Sequence, residues 1–328
     1  MMPKIILTGS HLTPAQAFSQ ELIKHGFKAV FFSVSGPKFN RHQPIISFFS
    51  LIKLPLSLFL AFKTLIQIQP KAVVSFGGYS AFPVCLAAKL LGLPLIIHEQ
   101  TFQAGLSSKI TAFLADRIAI SWPSSFKYFP QHKTFLTGNL IRREILELKK
   151  TKVSNLKTIY ITGGHQGSLA INRAVKPILP QLLSTYKIYH QFGLKQDCSY
   201  WPKINHPNYL IKSWFGVKAL ARILAQKPLV ISRSGVNTVT ELAYLNLPAI
   251  LIPLLTAQRN EQLTNARFLE SLGLAKILLQ ADLTPQVLLN EINNFSVSLS
   301  GNNQSTFNRQ LIKKAAVNLY QLLLSVLR

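Results

Sequence analysis

Three stretches of the sequence pass from an apolar run directly into a glycine-containing turn. They read IILTGSHLTP at residues 5–14, VSFGGYSAFP at 74–83 and IYITGGHQGS at 159–168. A glycine turn between a strand and a helix lets backbone N–H groups approach an oxyanion, and the dipole at the helix N-terminus adds favourable charge. One such turn is weak evidence, because glycines also serve ordinary tight turns. Three of them predict a surface built around phosphate groups.

The turns do not follow the two best-known phosphate motifs. The sequence contains neither a G-x-x-x-x-G-K-[ST] loop nor a G-x-G-x-x-G fingerprint. Nucleoside triphosphate hydrolysis and dinucleotide binding therefore lack their usual signals. The phosphates are expected to be held in another way.

Two of the few acidic residues follow apolar runs, Glu99 directly and Glu241 at a greater distance along the chain. Glu99 ends LIIHE, and Glu241 lies in ISRSGVNTVTEL. A carboxylate near the carboxyl end of a strand is well placed to accept hydrogen bonds from a vicinal diol of a sugar. The alternative is a solvated carboxylate, or one paired with Arg233.

His11 follows the first glycine turn, where a helix is expected to begin. A neutral imidazole can take up a proton near neutral pH, and a helix N-terminus disfavours the cation. His11 is therefore a candidate general base. A polar capping residue is the alternative.

The elements that position these residues alternate between strand and helix. Strand-like segments lie near 4–8, 28–33, 72–75, 94–97 and 117–120, and a second series near 158–162, 187–191, 208–211, 228–232, 248–252 and 275–279. Helical patterns follow at 259–271, 284–293 and 306–327. This alternation predicts parallel sheets with crossover helices.

The length of 328 residues indicates more than one domain, since a domain averages about 150 residues. We predict two doubly wound α/β domains facing each other across a cleft, linked by the basic stretch at 147–157. Ligands in such sheets bind outside the carboxyl ends of the strands, so the chemistry is expected in the cleft.

The charge is strongly basic, with 36 Lys and Arg against 11 Asp and Glu, a net charge of +25. Such a surface attracts nucleic acid, anionic lipid and phosphate-bearing substrates alike. No recognised nucleic-acid module is present, which disfavours a nucleic-acid partner. Cys85 and Cys198 have no metal-site spacing and form no disulfide framework, so a reducing cytoplasm is expected. The N-terminus MMPKIILTGS does not look like a signal peptide.

The apolar segment at 45–68 is interrupted by Lys53, Pro55 and Lys63. Each uninterrupted run is shorter than the roughly 20 residues that span a bilayer. One helical face carries its large apolar residues: Ile45, Phe48, Phe49, Ile52, Leu56, Phe59 and Leu60. Burial in the core and contact with lipid are both compatible with this face.

Seven motifs in order resemble the MurG family of bacterial N-acetylglucosaminyltransferases, which convert lipid I to lipid II in peptidoglycan synthesis. They are TGSH..PA, SFGGYSAFP, IIHEQTFQAGLSSKI, TGNLIRREI, ITGGHQGSLAIN, ISRSGVNTVTELAYLNLPAILIPL and NEQLTNA. The resemblance covers nearly the whole chain. It implies the two-domain GT-B fold, with an acceptor- and membrane-binding domain at 1–143 joined by a C-terminal helix at 306–328, and a donor domain at 144–305.

The resemblance also implies an inverting hexosyltransferase that needs no metal and no cofactor, with UDP-N-acetylglucosamine and lipid I as substrates. His11 would remove the proton of the acceptor's 4-hydroxyl. The donor residues would be Thr8, Gly9, Ser10, Thr101, Arg142, Gly163, Gly164, His165, Gln166, Arg233, Ser234, Gly235, Val236, Asn237, Thr238, Glu241, Gln262 and Asn265. Glu241 would accept from the ribose hydroxyls, and Phe215 or a neighbour would pack on uracil.

The acceptor side would comprise Gly77, Gly78, Tyr79, His98, Glu99 and Gln100, and the lipid I pyrophosphate would also lie near Thr8, Gly9 and Ser10. The likeness implies peripheral association with the anionic inner leaflet, at the cytoplasmic face of the cell membrane. Its membrane-contact residues would be Phe48, Phe49, Ile52 and Phe59.

The sequence departs from the family pattern in places. The first turn, usually G-G-x-G-G-H, reads I-L-T-G-S-H, with Ile6, Leu7 and Ser10 replacing glycines. His165 replaces a serine and Thr101 an asparagine, and Glu261 stands where histidine or glutamine is common. Two alternatives to lipid II synthesis follow: a transferase with another lipid acceptor, and a catalytically degraded GT-B binding protein.

Overall fold

A computed structural model describes residues 2–10, 12–34, 54–148, 157–197, 199, 201–202, 204–255, 260–295 and 307–327. The predicted base His11, the membrane residues Phe48, Phe49 and Ile52, and most of the predicted link at 147–157 lie outside these residues. The chain divides into two compact units. Unit 1 comprises Met1–Arg142 and Gln310–Arg328, and unit 2 comprises Arg143–Arg309.

The strands, in chain order, are β1 Lys4–Thr8, β2 Lys28–Phe31, β3 Ala72–Ser75, β4 Leu95–Glu99, β5 Arg117–Ile120, β6 Thr134–Leu136, β7 Thr158–Thr162, β8 Lys187–Gln191, β9 Tyr209–Lys212, β10 Leu229–Ser232, β11 Ala249–Leu251 and β12 Ala275–Ile277. They form two six-stranded sheets, ordered β2-β1-β3-β4-β5-β6 and β12-β11-β10-β7-β8-β9. All the pairings are parallel. The predicted α/β class with two doubly wound sheets is confirmed.

The helices, in chain order, are α1 Leu12–Lys24, α2 Leu54–Ile68, α3 Phe82–Leu90, α4 Leu106–Leu114, α5 Arg143–Leu146, α6 Leu169–Leu183, α7 Val217–Ala225, α8 Val236–Leu245, α9 Glu261–Ser271, α10 Pro285–Asn293 and α11 Arg309–Leu324. The three helical patterns predicted after residue 259 correspond to α9, α10 and α11. The strand predictions also hold to within a few residues. Strand β6 was not predicted, because three residues carry too little periodicity.

In unit 1, alternation along the strands sends side chains to both faces of the sheet. Ile6, Val73 and Ile118 pack on the buried faces of α2, α3 and α4. Ile5 and Val74 belong to the opposite face, together with Phe18 of α1 and Leu319 of α11. Buried strands of this kind read as nearly continuous apolar runs, which is why the sequence revealed them.

In unit 2, one face of the sheet packs against α6 and α10. Ile159 and Ile161 of β7 meet Val175 and Leu179 of α6 in this core, and Leu288 of α10 joins them. The core holds α6 firmly behind the glycine turn that follows β7.

Candidate active site

In unit 2, the residues after β7 and β10 meet at one edge of the sheet. Strand β7 lies between β8 and β10, and Thr162 is the register partner of Ser232. The direction of winding reverses between β7 and β10, which makes this edge the topological switch point where ligands of such sheets bind. The structure thus brings the 163–167 turn beside the loop at Arg233–Gly235, two segments that the sequence had separated.

The 163–167 turn depends on backbone contacts that exclude side chains. A Cβ on Gly163 would collide with the backbone N of Ser168 and the carbonyl carbon of Gly167. Gly164 has a φ of +80° and donates its N–H to Thr162 Oγ1 at 3.0 Å. Ser168 then caps α6 by accepting from the N–H of Ile171. The geometry is that of a strand–turn–helix phosphate cradle.

The exposed residues of the turn are tied back through their carbonyls. His165 O accepts from Leu194 N at 3.0 Å, and Gln166 O accepts from Lys195 N at 3.3 Å. The His165 ring also meets the edge of Trp214, with centroids 5.0 Å apart. The residue that departs from the family serine is therefore packed against the segment after β9.

Three predicted donor residues form one hydrogen-bonded cluster at the switch point. Ser234 Oγ donates to the carbonyl of Gln262 at 2.7 Å, and Asn265 Nδ2 donates to the carbonyl of Ser234 at 2.9 Å. Gln262 Oε1 accepts from Leu254 N at 2.9 Å. Asn265 is fully buried, and among the described residues its Oδ1 has no hydrogen-bond partner. The cluster joins the N-terminus of α9 to the loop before α8.

The loop after β10 leads into α8, whose first turn contains Val236, Asn237 and Thr238. Glu241 lies on the same helix and is 4% exposed. Arg233 is directed elsewhere, because its guanidinium donates to Ile252 O at 3.0 Å and to Gln280 Oε1 at 2.5 Å. Burial lowers its pKa from the ordinary value. Arg233 therefore fastens this loop to neighbouring segments.

In unit 1, the first two glycine turns touch each other at the switch point between β1 and β3. Ser10 N donates to Gly77 O at 3.0 Å, and Phe76 N to Thr8 O at 2.7 Å. A Cβ on Gly9 would lie 2.7 Å from Gly77 O, and one on Gly78 would collide with Ser10. In the first turn, where Ile6, Leu7 and Ser10 replace the glycines usual in the family, a side chain at Gly9 would therefore clash with the second turn. Tyr79 begins the short 3₁₀ helix that follows.

The side chains of the HEQ segment are buried and bonded within unit 1. His98 Nε2 lies 3.2 Å from Gly138 O, and Gln100 Nε2 donates to Phe76 O at 3.3 Å. Glu99 Oε1 accepts from the N–H and hydroxyl of Thr101, at 2.9 and 2.7 Å, and Glu99 Oε2 accepts from Gly105 N at 3.3 Å. The carboxylate that the sequence suggested for a sugar diol here shapes its own loop.

Several site features escaped the sequence reasoning. The hydroxyl of Ser33 accepts the N–H of Gly9 at 3.0 Å. Gln191 Nε2 donates to Gly164 O in the 163–167 turn. Arg142, which was predicted to contact the donor, is half-buried and is the last residue of the first stretch of unit 1.

Among the described residues, no group of three His, Cys, Asp or Glu side chains is placed to bind a metal ion.

Comparisons with known proteins agree with this architecture. The glycosyltransferase family 28 N-terminal domain matches residues 33–120, and the family 28 C-terminal domain matches residues 158–319. A relative from Lachnoclostridium phytofermentans is 31% identical, over 89% of this chain and 90% of its own length. It is a UDP-N-acetylglucosamine--N-acetylmuramyl-(pentapeptide) pyrophosphoryl-undecaprenol N-acetylglucosamine transferase. The chain belongs to this transferase family.

Further MurG family members support the assignment. A transferase of the same name from Acinetobacter baumannii is 30% identical, over 96% of this chain and 90% of its own length. The crystal structure of Acinetobacter baumannii MurG has a TM-score of 0.63 and 26% identity, and it covers 97% of this chain and 95% of its own. A UDP-GlcNAc 2-epimerase from Neisseria meningitidis, at 14% identity and a TM-score of 0.61, shares the fold alone. The predicted family membership is confirmed.

Behind the 163–167 turn, unit 2 contains a buried histidine with a strongly shifted pKa. Burial lowers the pKa of His190 from 6.5 to about 3. Its Nδ1 lies 3.0 Å from Tyr209 Oη and its Nε2 3.1 Å from Asn172 Oδ1. The imidazole is therefore neutral in the folded protein at neutral pH.

We expect His190 to make this MurG family member acid-sensitive. Below pH 6.5 the His190 side chain is protonated in the unfolded chain, but in the folded chain it stays neutral down to about pH 3. The contribution of His190 to the free energy of unfolding is therefore complete above pH 6.5 and decreases as the pH falls from 6.5 to 3. The loss between pH 7 and pH 5 is about 2 kcal/mol. Urea unfolding at both pH values measures it. His190→Gln should flatten this dependence, and the exposed His132→Gln should not; equal slopes in all three proteins would refute it.

Proposed function

We propose that this protein transfers N-acetylglucosamine from UDP-N-acetylglucosamine to the 4-hydroxyl of the N-acetylmuramyl sugar of lipid I, forming lipid II. The main support is sequence similarity: about nine-tenths of the chain aligns with transferases that are named for this reaction. The convergence of the 163–167 turn, the Arg233–Gly235 loop and the Gln262–Asn265 cluster at one switch point supports it.

Unit 2 is proposed to bind the donor. The 163–167 turn holds the diphosphate with backbone N–H groups other than those of Gly164 and Gly167, which donate to Thr162 Oγ1 and Gly164 O. The N-terminus of α8 adds favourable charge. Glu241 accepts hydrogen bonds from the ribose hydroxyls, and Gln262 and Asn265 contact the sugar. As UDP departs, these fixed dipoles stabilise the charge that develops on the leaving diphosphate.

Unit 1 is proposed to bind lipid I and to supply the base. The acceptor's 4-hydroxyl oxygen attacks the anomeric carbon from the face opposite to UDP, so the new C–O bond forms as the bond to the diphosphate breaks and the configuration inverts. The imidazole of His11 takes the proton of that hydroxyl. The touching turns at Gly9 and Gly77 are proposed to receive the pyrophosphate of lipid I.

Turnover of UDP-N-acetylglucosamine with a lipid I analogue tests the proposal. The expected product is a lipid II analogue with a β-linked sugar, formed together with UDP. Transfer to a different lipid-linked glycan or a diacylglycerol, with none to lipid I, would identify another acceptor. Donor binding without transfer to any of them would support a degraded binding protein.

Peripheral membrane association is the second part of the proposal, and the outer surface of the α2–α4 layer supports it. On α2, Leu56 and Phe59 are each 64% exposed, whereas the buried face carries Ser57, Ala61 and Leu65. Of the predicted apolar face, Leu56, Phe59 and Leu60 are therefore exposed and do not lie in the core, although the opposite face of α2 does. On α4, Phe113 is 83% exposed, a residue that the sequence reasoning did not select. None of the described helices is long and apolar enough to cross a bilayer.

Phe59→Ser combined with Phe113→Ser is expected to lower binding to anionic vesicles by about tenfold or more, because each ring contributes about 1.5–3 kcal/mol when it leaves water. Sedimentation with phosphatidylcholine vesicles, with and without phosphatidylglycerol, measures the effect. The control is Phe135→Ser, since Phe135 is 41% exposed on the edge strand β6. If the double variant and the control bound vesicles equally well, this surface would not be the contact.

A further inference from the structure

Gln191 lies at the carboxyl end of β8, the strand between β7 and β9, and is 3% exposed. In register, it lies beside Thr162 on one side and Lys212 on the other. A side chain at this point can reach the loops that follow both neighbouring strands. Its amide group does so.

On the β7 side, Gln191 Nε2 donates to Thr162 Oγ1 at 3.0 Å and to Gly164 O at 3.4 Å. Thr162 Oγ1 also accepts the N–H of Gly164, at 3.0 Å. The amide nitrogen therefore bonds directly to Gly164 of the 163–167 turn and also to the Thr162 hydroxyl, which accepts the N–H of Gly164. This is the segment proposed to carry the diphosphate.

On the β9 side, Gln191 Oε1 accepts from Phe215 N at 3.1 Å. Gly193 N donates to Ser213 O at 3.0 Å, so the backbone after β8 also pairs with this segment. The contact between His165 and Trp214 connects the same two regions at the surface. Segment 213–216 is the one that the family resemblance places near uracil.

The orientation of the amide is determined by its partners. Gly164 O can only accept a hydrogen bond, and Phe215 N can only donate one. If the amide O and N were exchanged, an acceptor would face Gly164 O and a donor would face Phe215 N. No other arrangement of this side chain satisfies both loops. The bridge is specific to a group that carries a donor at one end and an acceptor at the other.

We propose that Gln191 is a positioning residue for the donor nucleotide, which sets the diphosphate turn relative to the segment that receives the base. It acts through the two loops and has no contact with substrate in this role. The inference rests on the proposed function of unit 2. It predicts that the amide matters most for ligands that need both loops at once.

Gln191→Glu isolates the donated bonds. The carboxylate keeps an acceptor for Phe215 N but repels Gly164 O and removes both donated hydrogen bonds. We expect the Kd for UDP and the KM for UDP-N-acetylglucosamine to rise about tenfold, with kcat changed by less than about threefold. Uridine, which lacks the diphosphate, should lose less than about threefold in affinity. Isothermal titration and steady-state kinetics measure these values.

Thr162→Val provides a second variant of similar size that removes the shared acceptor. It should weaken UDP binding in the same direction, and the double variant with Gln191→Glu should lose less than the sum of the two effects. Gln286→Glu is the control. Gln286 is exposed on α10, where its side chain bonds to Asn290 Oδ1 at 2.9 Å, and its replacement should leave UDP affinity within about twofold.

Three outcomes would overturn the inference: folded Gln191→Glu protein with UDP affinity within twofold of wild type, equal losses for UDP and uridine, or a loss in kcat alone. Should Gln191→Glu fail to fold, Thr162→Val with unchanged UDP affinity would overturn it equally. Wild-type protein that binds no UDP would instead refute the donor site proposed for unit 2. The two failures are thus distinguishable.

Discussion

Gly163→Ala is expected to weaken UDP binding by about 10- to 100-fold, because overpacking a tight site costs about 1–3 kcal/mol. The new methyl group would meet the backbone N of Ser168 and the carbonyl carbon of Gly167, neither of which can rotate away. Relief requires the start of α6 to move, which disturbs the cap that Ser168 forms with Ile171. Titration with UDP measures the loss, and circular dichroism confirms that the variant is folded.

Gly164→Ala is the matched comparison within the same turn. A Cβ there meets no atom within 4 Å, so its cost comes only from the φ of +80°. That cost is about 1 kcal/mol, and the expected loss is less than about tenfold. If the two variants lost affinity equally, backbone crowding at Gly163 would not be what shapes the 163–167 turn.

His11→Ala is expected to lower kcat by about 10²- to 10⁴-fold, the usual contribution of a positioned general base. The 163–167 turn and Glu241, which we propose to hold the donor, belong to unit 2, so the KM for UDP-N-acetylglucosamine should stay within about threefold. Steady-state assays with a lipid I analogue measure both constants.

His132→Ala serves as the control for His11. His132 is exposed in the short 3₁₀ helix Gln131–Lys133 of unit 1 and has no proposed role. Its replacement should leave kcat unchanged. Turnover by His11→Ala at the rate of this control would show that another group takes the proton.

Most elements of the fold were predictable because buried parallel strands are apolar along their whole length. Runs such as the one at Ile159–Ile161 stand out against polar surroundings, and the glycines that follow them mark where the chain turns. The edge strand β6 lacks that contrast, since Phe135 is partly exposed and only three residues pair. Exposure on α2 was also ambiguous, because an apolar helical face fits a core and a lipid surface equally well.

The candidate site was predictable in its parts but not in the use of each part. His98 and Glu99 look like ligand-facing groups when read as residue types, yet both are buried and bonded within unit 1. Arg233 was predicted among the donor residues, yet its guanidinium donates to Ile252 O and Gln280 Oε1. Hydrogen-bond partners distant along the chain decide these roles, and residue type does not report them.

The sequence by itself determined the α/β class, the glycine turns and the transferase family, because periodicity and ordered motifs are local properties of a chain. Only the tertiary structure decided which turns meet. Crossover connections place β10 beside β7 and β3 beside β1, so the Ser234 loop lies beside the 163–167 turn, and Gly9 packs closely against Gly77. Gln191 acquires its role in the same way, since a bridge between two loops exists only after three strands have been laid side by side.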